Sequence, residues 1–226
     1  MENKQQVTVI GGGLAGCEAA WQLAQAGYAV FLYEMKPEQY TPAHHYTGLA
    51  ELVCSNSLKA DRLASAAGLL KAEMERLGSL LIPCARATAV AAGGALAVDR
   101  HRFSDLVTEH IQNHPNITII QERVTALPKR CAVIATGPLT DGALAEDLER
   151  QCGKRLSFFD AAAPIVSYES LDPEKIFFAA RYDRGDADYI NCPMDQETYT
   201  AFYQALIAAE RAPLHDCDKE FFRVYE

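Results

Sequence analysis

Residues 7–10 (Val7-Thr8-Val9-Ile10) are a short apolar and β-branched run, and Gly11-Gly12-Gly13-Leu14-Ala15-Gly16 follows at once. The run predicts a buried strand, and the glycines predict a tight turn after it. Over residues 14–26 the small and apolar positions Ala15, Ala19 and Leu23 recur every fourth residue. That spacing predicts a helix lying close against a sheet, with Gly27 ending it as a left-handed cap. Residues 29–33 read as a second strand, closed by Glu34.

The pattern then breaks. Residues 35–58 hold Pro37, Pro42, His44, His45, Gly48, Cys54 and Asn56 with no period. A long irregular connection in a compact domain usually carries function. Leu63, Ala67, Leu70, Met74 and Leu77 restore helical steps and predict a core-facing stripe. Residues 91–100 read as a second glycine-containing loop, with a helix from about Arg102 to Asn113 behind it. Residues 116–121 alternate as a strand, and Cys131-Ala132-Val133-Ile134-Ala135 predicts a buried strand ended by Thr136-Gly137-Pro138. Strands alternating with helices indicate parallel βαβ units. Beyond Asp160 the strands become aromatic-rich (164–168, 176–182, 188–192), and a helix follows with Tyr199, Phe202, Tyr203, Leu206 and Ile207 on one side. The expected division is a first domain over 1–160 and the start of a second over 161–226.

Composition narrows the classes. With 226 residues and 49% hydrophobic content the chain can bury a sizeable core. No apolar run is long enough for a transmembrane helix, and the polar opening Met1-Glu2-Asn3-Lys4-Gln5-Gln6 favours a cytoplasmic location. The seven cysteines (17, 54, 84, 131, 152, 192, 217) are scattered without C-x-x-C or zinc-ligand spacing. They are expected to be mostly small buried residues. A formal charge of −9 argues against a broad nucleic-acid surface on this segment.

Gly11, Gly13 and Gly16 fit G-x-G-x-x-G, the spacing of a dinucleotide turn. Gly11 permits the turn, Gly13 admits a pyrophosphate, and Gly16 lets helix and strand pack closely. The helix opening at Leu14 and Ala15 turns free N–H groups and a positive dipole end toward the phosphates. Glu34, about 20 residues on, can bind ribose hydroxyls. The Ala135-Thr136-Gly137 strand end lets backbone approach a flavin, which favours FAD over NAD; alone it is also an ordinary turn. The fold class expected is α/β: a Rossmann-like FAD-binding fold with a parallel sheet, plus the start of an inserted α+β domain. Cys54, in a loop at the carboxyl end of the sheet, is either a nucleophile or base or an inert core thiol. His44 and His45 are loop hydrogen-bonding groups or a catalytic base. Arg100 and Arg181 bind an anion or simply face solvent.

Thr41-Pro42-Ala43-His44-His45, Ala50-Glu51-Leu52-Val53-Cys54-Ser55-Asn56-Ser57-Leu58 and Ala66-Ala67-Gly68-Leu69-Leu70-Lys71 resemble the bacterial folate- and FAD-dependent tRNA (uracil-5-)-methyltransferase family, TrmFO. Residues 93–100, 133–140, 160–166 and 189–194 extend the resemblance over nearly the whole chain. The related MnmG (GidA) flavoproteins share the Gly-Gly-Gly-x-Ala-Gly-Cys-Glu-Ala-Ala opening but not the loop around Cys54. The resemblance implies that methylenetetrahydrofolate supplies one carbon, FAD carries and reduces it, and NAD(P)H restores the flavin. The product is 5-methyluridine in the tRNA T-loop. It also implies two catalytic cysteines. Cys54 matches the first, for which the resemblance implies a place near the flavin and a part in proton removal or carbon transfer. Neither Cys192 nor Cys217 matches the second. The chain therefore reads as an N-terminal part that ends before the second cysteine and before the segment that closes over the flavin. The tRNA contacts would then lie mainly beyond residue 226, and the 226 residues alone are expected to be inactive. Left open beside this are an FAD-dependent oxidoreductase, an MnmG-like tRNA-modifying flavoprotein and an inactive dinucleotide-binding fragment.

Overall fold

A computed structural model describes residues 5–153, 166–180 and 186–210. It divides into two compact units, Met1–Ala163 and Pro164–Glu226.

The first unit opens with β1 (Gln6–Ile10), α1 (Leu14–Gln25) and β2 (Ala29–Glu34), as the alternation of apolar run, glycine turn and helix predicts. Gly27, at φ 91°, ends α1. Its N–H bonds to the Ala24 carbonyl at 3.0 Å, and that of Tyr28 bonds to the Leu23 carbonyl at 3.1 Å. This paired closure is the Schellman arrangement that only a residue at ease in left-handed space completes without strain. Next come β3 (Ser57–Ala60), α2 (Ala66–Arg76), α3 (Leu81–Ala87), β4 (Ala89–Val90) and β5 (Ala95–Val98). The unit continues with α4 (Arg100–Gln112), β6 (Ile117–Gln121), β7 (Ala132–Ile134) and α5 (Gly142–Cys152).

Four of these strands form a sheet in the order β6-β2-β1-β7, every neighbour parallel. Val9 pairs with Leu32, and both are fully buried. Phe103, Val107 and Ile111, four residues apart along α4, are also fully buried in the same cluster. Each such side chain contributes about 1.5–3 kcal/mol by leaving water. Asp99 caps α4, its carboxylate accepting from the N–H groups of His101 and Arg102 at 3.1 Å. The cap starts the helix at Arg100, two residues before the expected Arg102. Glu18 on α1 accepts from Ser79 Oγ at 2.8 Å and from Leu81 N–H at 3.1 Å, which ties α1 to the start of α3.

Several expectations need correction. The buried face of α1 is Gly16, Cys17, Ala20 and Ala24; Ala15 is exposed, and Ala19 and Leu23 are half-buried. The helix is turned by one position because Gly16 and Cys17 allow the closest approach to the glycine turn. The Leu63-Leu70-Leu77 stripe faces solvent at 66%, 56% and 75% exposure. What α2 buries is Gly68, against the Arg62 carbonyl, and Lys71, whose ammonium donates to the carbonyls of Ala60 and Ala67. Periodicity marks an amphipathic helix but does not say which face the chain covers. The supposed loop at 91–100 is a hairpin turn plus β5, and Leu58 lies in β3; together these make an antiparallel sheet of order β3-β5-β4. The Cys131–Ala135 run is not buried: β7 is half-buried and Cys131 is exposed, because β7 borders the sheet. Of the described cysteines only Cys17 and Cys84 are buried, against the expectation that most would be.

In the second unit β8 (Phe177–Ala179) pairs antiparallel with β9 (Tyr189–Asn191), and α6 (Gln196–Ala208) follows. Asp195 caps α6 through Thr198 N–H at 2.7 Å. Tyr199, Phe202, Tyr203, Leu206 and Ile207 lie on that helix as expected, and all are exposed. The strand expected at 164–168 is not formed where it is described: Tyr168–Ser170 is a 3-10 turn, and Pro164 and Ile165 lie outside the described residues.

Candidate dinucleotide-binding site

The turn between β1 and α1 is closed by Gly11 N–H on the Tyr33 carbonyl at 2.8 Å. Gly11 has φ 100°, and a Cβ there would run into the Ala135 carbonyl. A Cβ at Gly16 would overlap the Gly11 carbonyl. Around Gly13 an added Cβ would meet nothing within 4 Å. Two glycines are thus required by the protein's own packing, and the third faces open space where a ligand's backbone-hugging atoms fit. Gly13 is also the N-cap of α1; it brings no side-chain cap, and the first turn holds no acid. The N–H groups of Leu14 and Ala15 therefore stand at an uncapped helix start, suited to a pyrophosphate.

Glu34, at the end of β2, accepts from Gly12 N–H at 2.7 Å through Oε2 and from Lys36 N–H at 2.9 Å through Oε1. A carboxylate has about four acceptor sites, so two remain for ribose hydroxyls. Gly12, which sequence reading did not single out, is needed here: a Cβ would press on Glu34 Oε2 and Leu49 Cδ2. Opposite, Ala135 N–H bonds to the Ile10 carbonyl at 2.8 Å, which sets the end of β7 beside the turn. Thr140 gives its hydroxyl proton to the Gly137 carbonyl at 2.7 Å, so at the 2.6 Å Thr136–Thr140 contact Thr136 is the donor. Gly137 takes φ 75° to make that bend. The structure thus brings Gly11, Gly13, Leu14, Ala15, Gly16, Glu34, Ala135, Thr136 and Gly137 to one edge of the sheet, the carboxyl end of its strands.

The long connection after β2 is pinned from inside. Lys36 is 5% exposed, and its ammonium donates to the carbonyls of Tyr46 (3.0 Å) and Gly48 (2.6 Å) and to Glu51 Oε2 (3.1 Å). Burial acts to raise the Glu51 carboxyl, but the His45 N–H and the Lys36 ammonium outweigh it and hold it below its ordinary value. The same segment lies on the glycine turn through Ala50 N–H to the Gly12 carbonyl at 2.8 Å. It lies on α4 through Ser104 Oγ to the Leu49 carbonyl at 2.5 Å. Neither Lys36 nor Glu51 was singled out from sequence, since an isolated lysine normally reads as solvated. His44 Nδ1 is hydrogen-bonded with Thr41 Oγ1 at 2.5 Å, and burial pushes its imidazole below the usual range. His45 is exposed and serves Glu51 through its backbone.

Cys54 comes three residues after Glu51 and is exposed. It is therefore not the core thiol that composition alone allowed. Cys17 fills that description: it is buried, donates to the Gly12 carbonyl at 3.2 Å, and burial pushes its thiol up to about 12. Arg100 is half-buried at the first position of α4, and Arg181 lies outside the described residues.

A parallel sheet, a glycine turn with one open glycine and an acid at the next strand end are the arrangement of the dinucleotide-type α/β fold. The chain belongs to the family described as glucose inhibited division protein A, whose model matches residues 6–225. It is 55% identical over 98% of its length to a protein of Shouchella clausii named methylenetetrahydrofolate–tRNA-(uracil-5-)-methyltransferase TrmFO, covering 51% of that protein. A like-named protein of Geobacter sulfurreducens is 57% identical over 94% of the chain and is covered for 50% of its length. The chain thus spans about half the length of the curated relatives it matches. Among solved structures, Aquifex aeolicus GidA aligns at 21% identity with a TM-score of 0.45, over 57% of this chain and 21% of that one. No helix among the described residues is long and apolar enough to cross a membrane.

Proposed function

We propose that this chain forms the FAD-binding part of a methylenetetrahydrofolate-dependent enzyme that methylates C5 of the T-loop uridine in tRNA. The observation that carries the reading is an identity above 50% to proteins of that name over more than nine-tenths of the chain. FAD, when bound, would carry and reduce the one-carbon unit. Gly11, Gly13, Leu14, Ala15 and Gly16 would hold its pyrophosphate, Glu34 its ribose, and Ala135, Thr136 and Gly137 the wall toward the flavin. Cys54, exposed at the end of the pinned connection, would assist proton removal from uracil C5 or transfer of the carbon. NAD(P)H would restore the flavin, and the enzyme would act in the cytoplasm.

The test uses the full-length protein with FAD, methylenetetrahydrofolate, NAD(P)H and tRNA lacking the modification. Nucleoside analysis should give 5-methyluridine with wild type and none with Cys54→Ala. Wild-type turnover in the variant would remove Cys54 from the reaction. Failure of the wild type to modify tRNA while binding FAD would leave a flavoprotein of another activity.

A further inference from the structure

One guanidinium ties together three loops on the sheet's carboxyl edge. Glu122 N–H bonds to the Glu34 carbonyl at 3.0 Å, so β6 ends beside the acid that closes β2. Arg123 follows directly. It donates to Gln39 Oε1 at 3.2 Å, from the connection after β2, and to Asp141 Oδ1, from the connection after β7. Asp141 precedes α5 but makes no side-chain cap bond to it, so its carboxylate serves Arg123 instead. Gly142 keeps the approach clear: a Cβ there would stand 3.3 Å from Arg123 Nη2. The Arg123 side chain remains 39% exposed.

The order of groups along the edge matches half of a dinucleotide. The phosphate cradle stands at the end of β1, the ribose acid Glu34 at the end of β2, and Arg123 at the end of β6, the next strand out. Parallel strands are about 4.8 Å apart, close to the step from phosphate to sugar to base. We propose that Arg123 receives the adenine, its guanidinium plane stacked on the purine and held flat by Gln39 and Asp141. A planar cation on an aromatic face is worth more than a point charge there, so lysine is a poor substitute. The proposal rests on the dinucleotide reading of the glycine turn and is independent of the methyl-transfer reaction.

An ion pair that merely staples loops is the competing account, and two variants separate them. Arg123→Ala removes the plane and the pair together; Asp141→Ala removes the pair and leaves the guanidinium. Equilibrium binding of FAD, ADP and ribose 5-diphosphate is measured on the full-length protein, with thermal unfolding as a check on the fold. Arg123→Ala should weaken FAD and ADP about three- to tenfold and leave the base-free ribose 5-diphosphate unchanged. Arg123→Lys should lose most of the same increment, and Asp141→Ala should stay within about twofold of wild type, on the same scale. Equal losses in Arg123→Ala and Asp141→Ala would make Arg123 a staple and overturn the proposal. An equal loss for ribose 5-diphosphate would assign the arginine to the phosphates and overturn it too. A wild-type protein that binds neither FAD nor ADP would overturn the dinucleotide reading beneath it.

Discussion

Lys36 Nζ lies 3.1 Å from Glu51 Oε2, with the two side chains 5% and 10% exposed. Between them the chain makes its long excursion over the glycine turn, and both ends of that excursion are held by this one pair. The ammonium also satisfies the Tyr46 and Gly48 carbonyls, and the carboxylate also satisfies the His45 and Tyr46 N–H groups. Removing either side chain leaves a buried charge and orphaned backbone groups.

Lys36→Met should therefore destabilise the fold by about 3 kcal/mol, within the range for breaking a buried pair from one side. Urea denaturation would show it as a lower midpoint. The double variant Lys36→Met with Glu51→Leu should regain part of the loss, because no lone charge remains. A single variant within about 1 kcal/mol of wild type would mean water already reaches the pair.

Stability should decline toward acid in two stages. The His44 imidazole is pushed below its usual 6.5, mainly by burial. Its contribution is complete above that value and is lost as pH falls through the lower folded value. Glu51 is held below 4.5 by its hydrogen-bond donors, so its contribution is complete above 4.5 and is lost as pH falls further. His44→Gln should flatten the upper stage and Glu51→Gln the lower, read as melting temperature against pH. Unchanged profiles in both variants would contradict the assignment.

Gly13 and Gly16 should respond oppositely to substitution. Gly13 has φ −73° and open space around it, so Gly13→Val should leave melting nearly unchanged and abolish FAD binding. Gly16→Ala drives a methyl into the Gly11 carbonyl and should lower the melting temperature before binding is even tested. FAD binding by Gly13→Val at wild-type strength would mean the phosphates do not pass there.

Exposure revises the cost of altering Cys54. A buried sulfur would cost about 1–2 kcal/mol to remove, whereas an exposed one should change stability by less than about 0.5 kcal/mol. Iodoacetamide at mildly alkaline pH should alkylate Cys54 and spare Cys17 and Cys84, whose thiols are pushed up to about 12 and about 11 by burial. Peptide mass spectrometry reads the result, and protection of Cys54 equal to that of Cys17 would return it to the core.

The glycine turn was legible because sterics leaves little choice: Gly11 and Gly16 each abut backbone that no Cβ clears. Glu34 was legible from its distance to that turn. Lys36, Glu51 and Arg123 were not, because their roles come from partners brought close by the sheet and not by sequence spacing. Leu63, Leu70 and Leu77, on and beside α2, misled for the opposite reason. Their spacing is helical, but the surface they face is not supplied by the described residues of this unit. The β3-β5-β4 sheet was missed because its strands are too short to show a period.

The cradle is also a matter of timing. Gly11 needs its bare α-carbon because the Ala135 carbonyl lies against it. These two residues meet only by closing nearly the whole of the first unit into a loop, a step that costs about 4 kcal/mol in chain entropy. Local helices and the β1–β2 pair can form as the chain leaves the ribosome, while the β1–β7 contact waits for residue 135 to emerge. The wall opposite Glu34 is then set in place only after most of the unit has been made. A nascent chain stalled before that point would carry the glycine turn without the groove, and cofactor loading would follow synthesis of the unit, not accompany it.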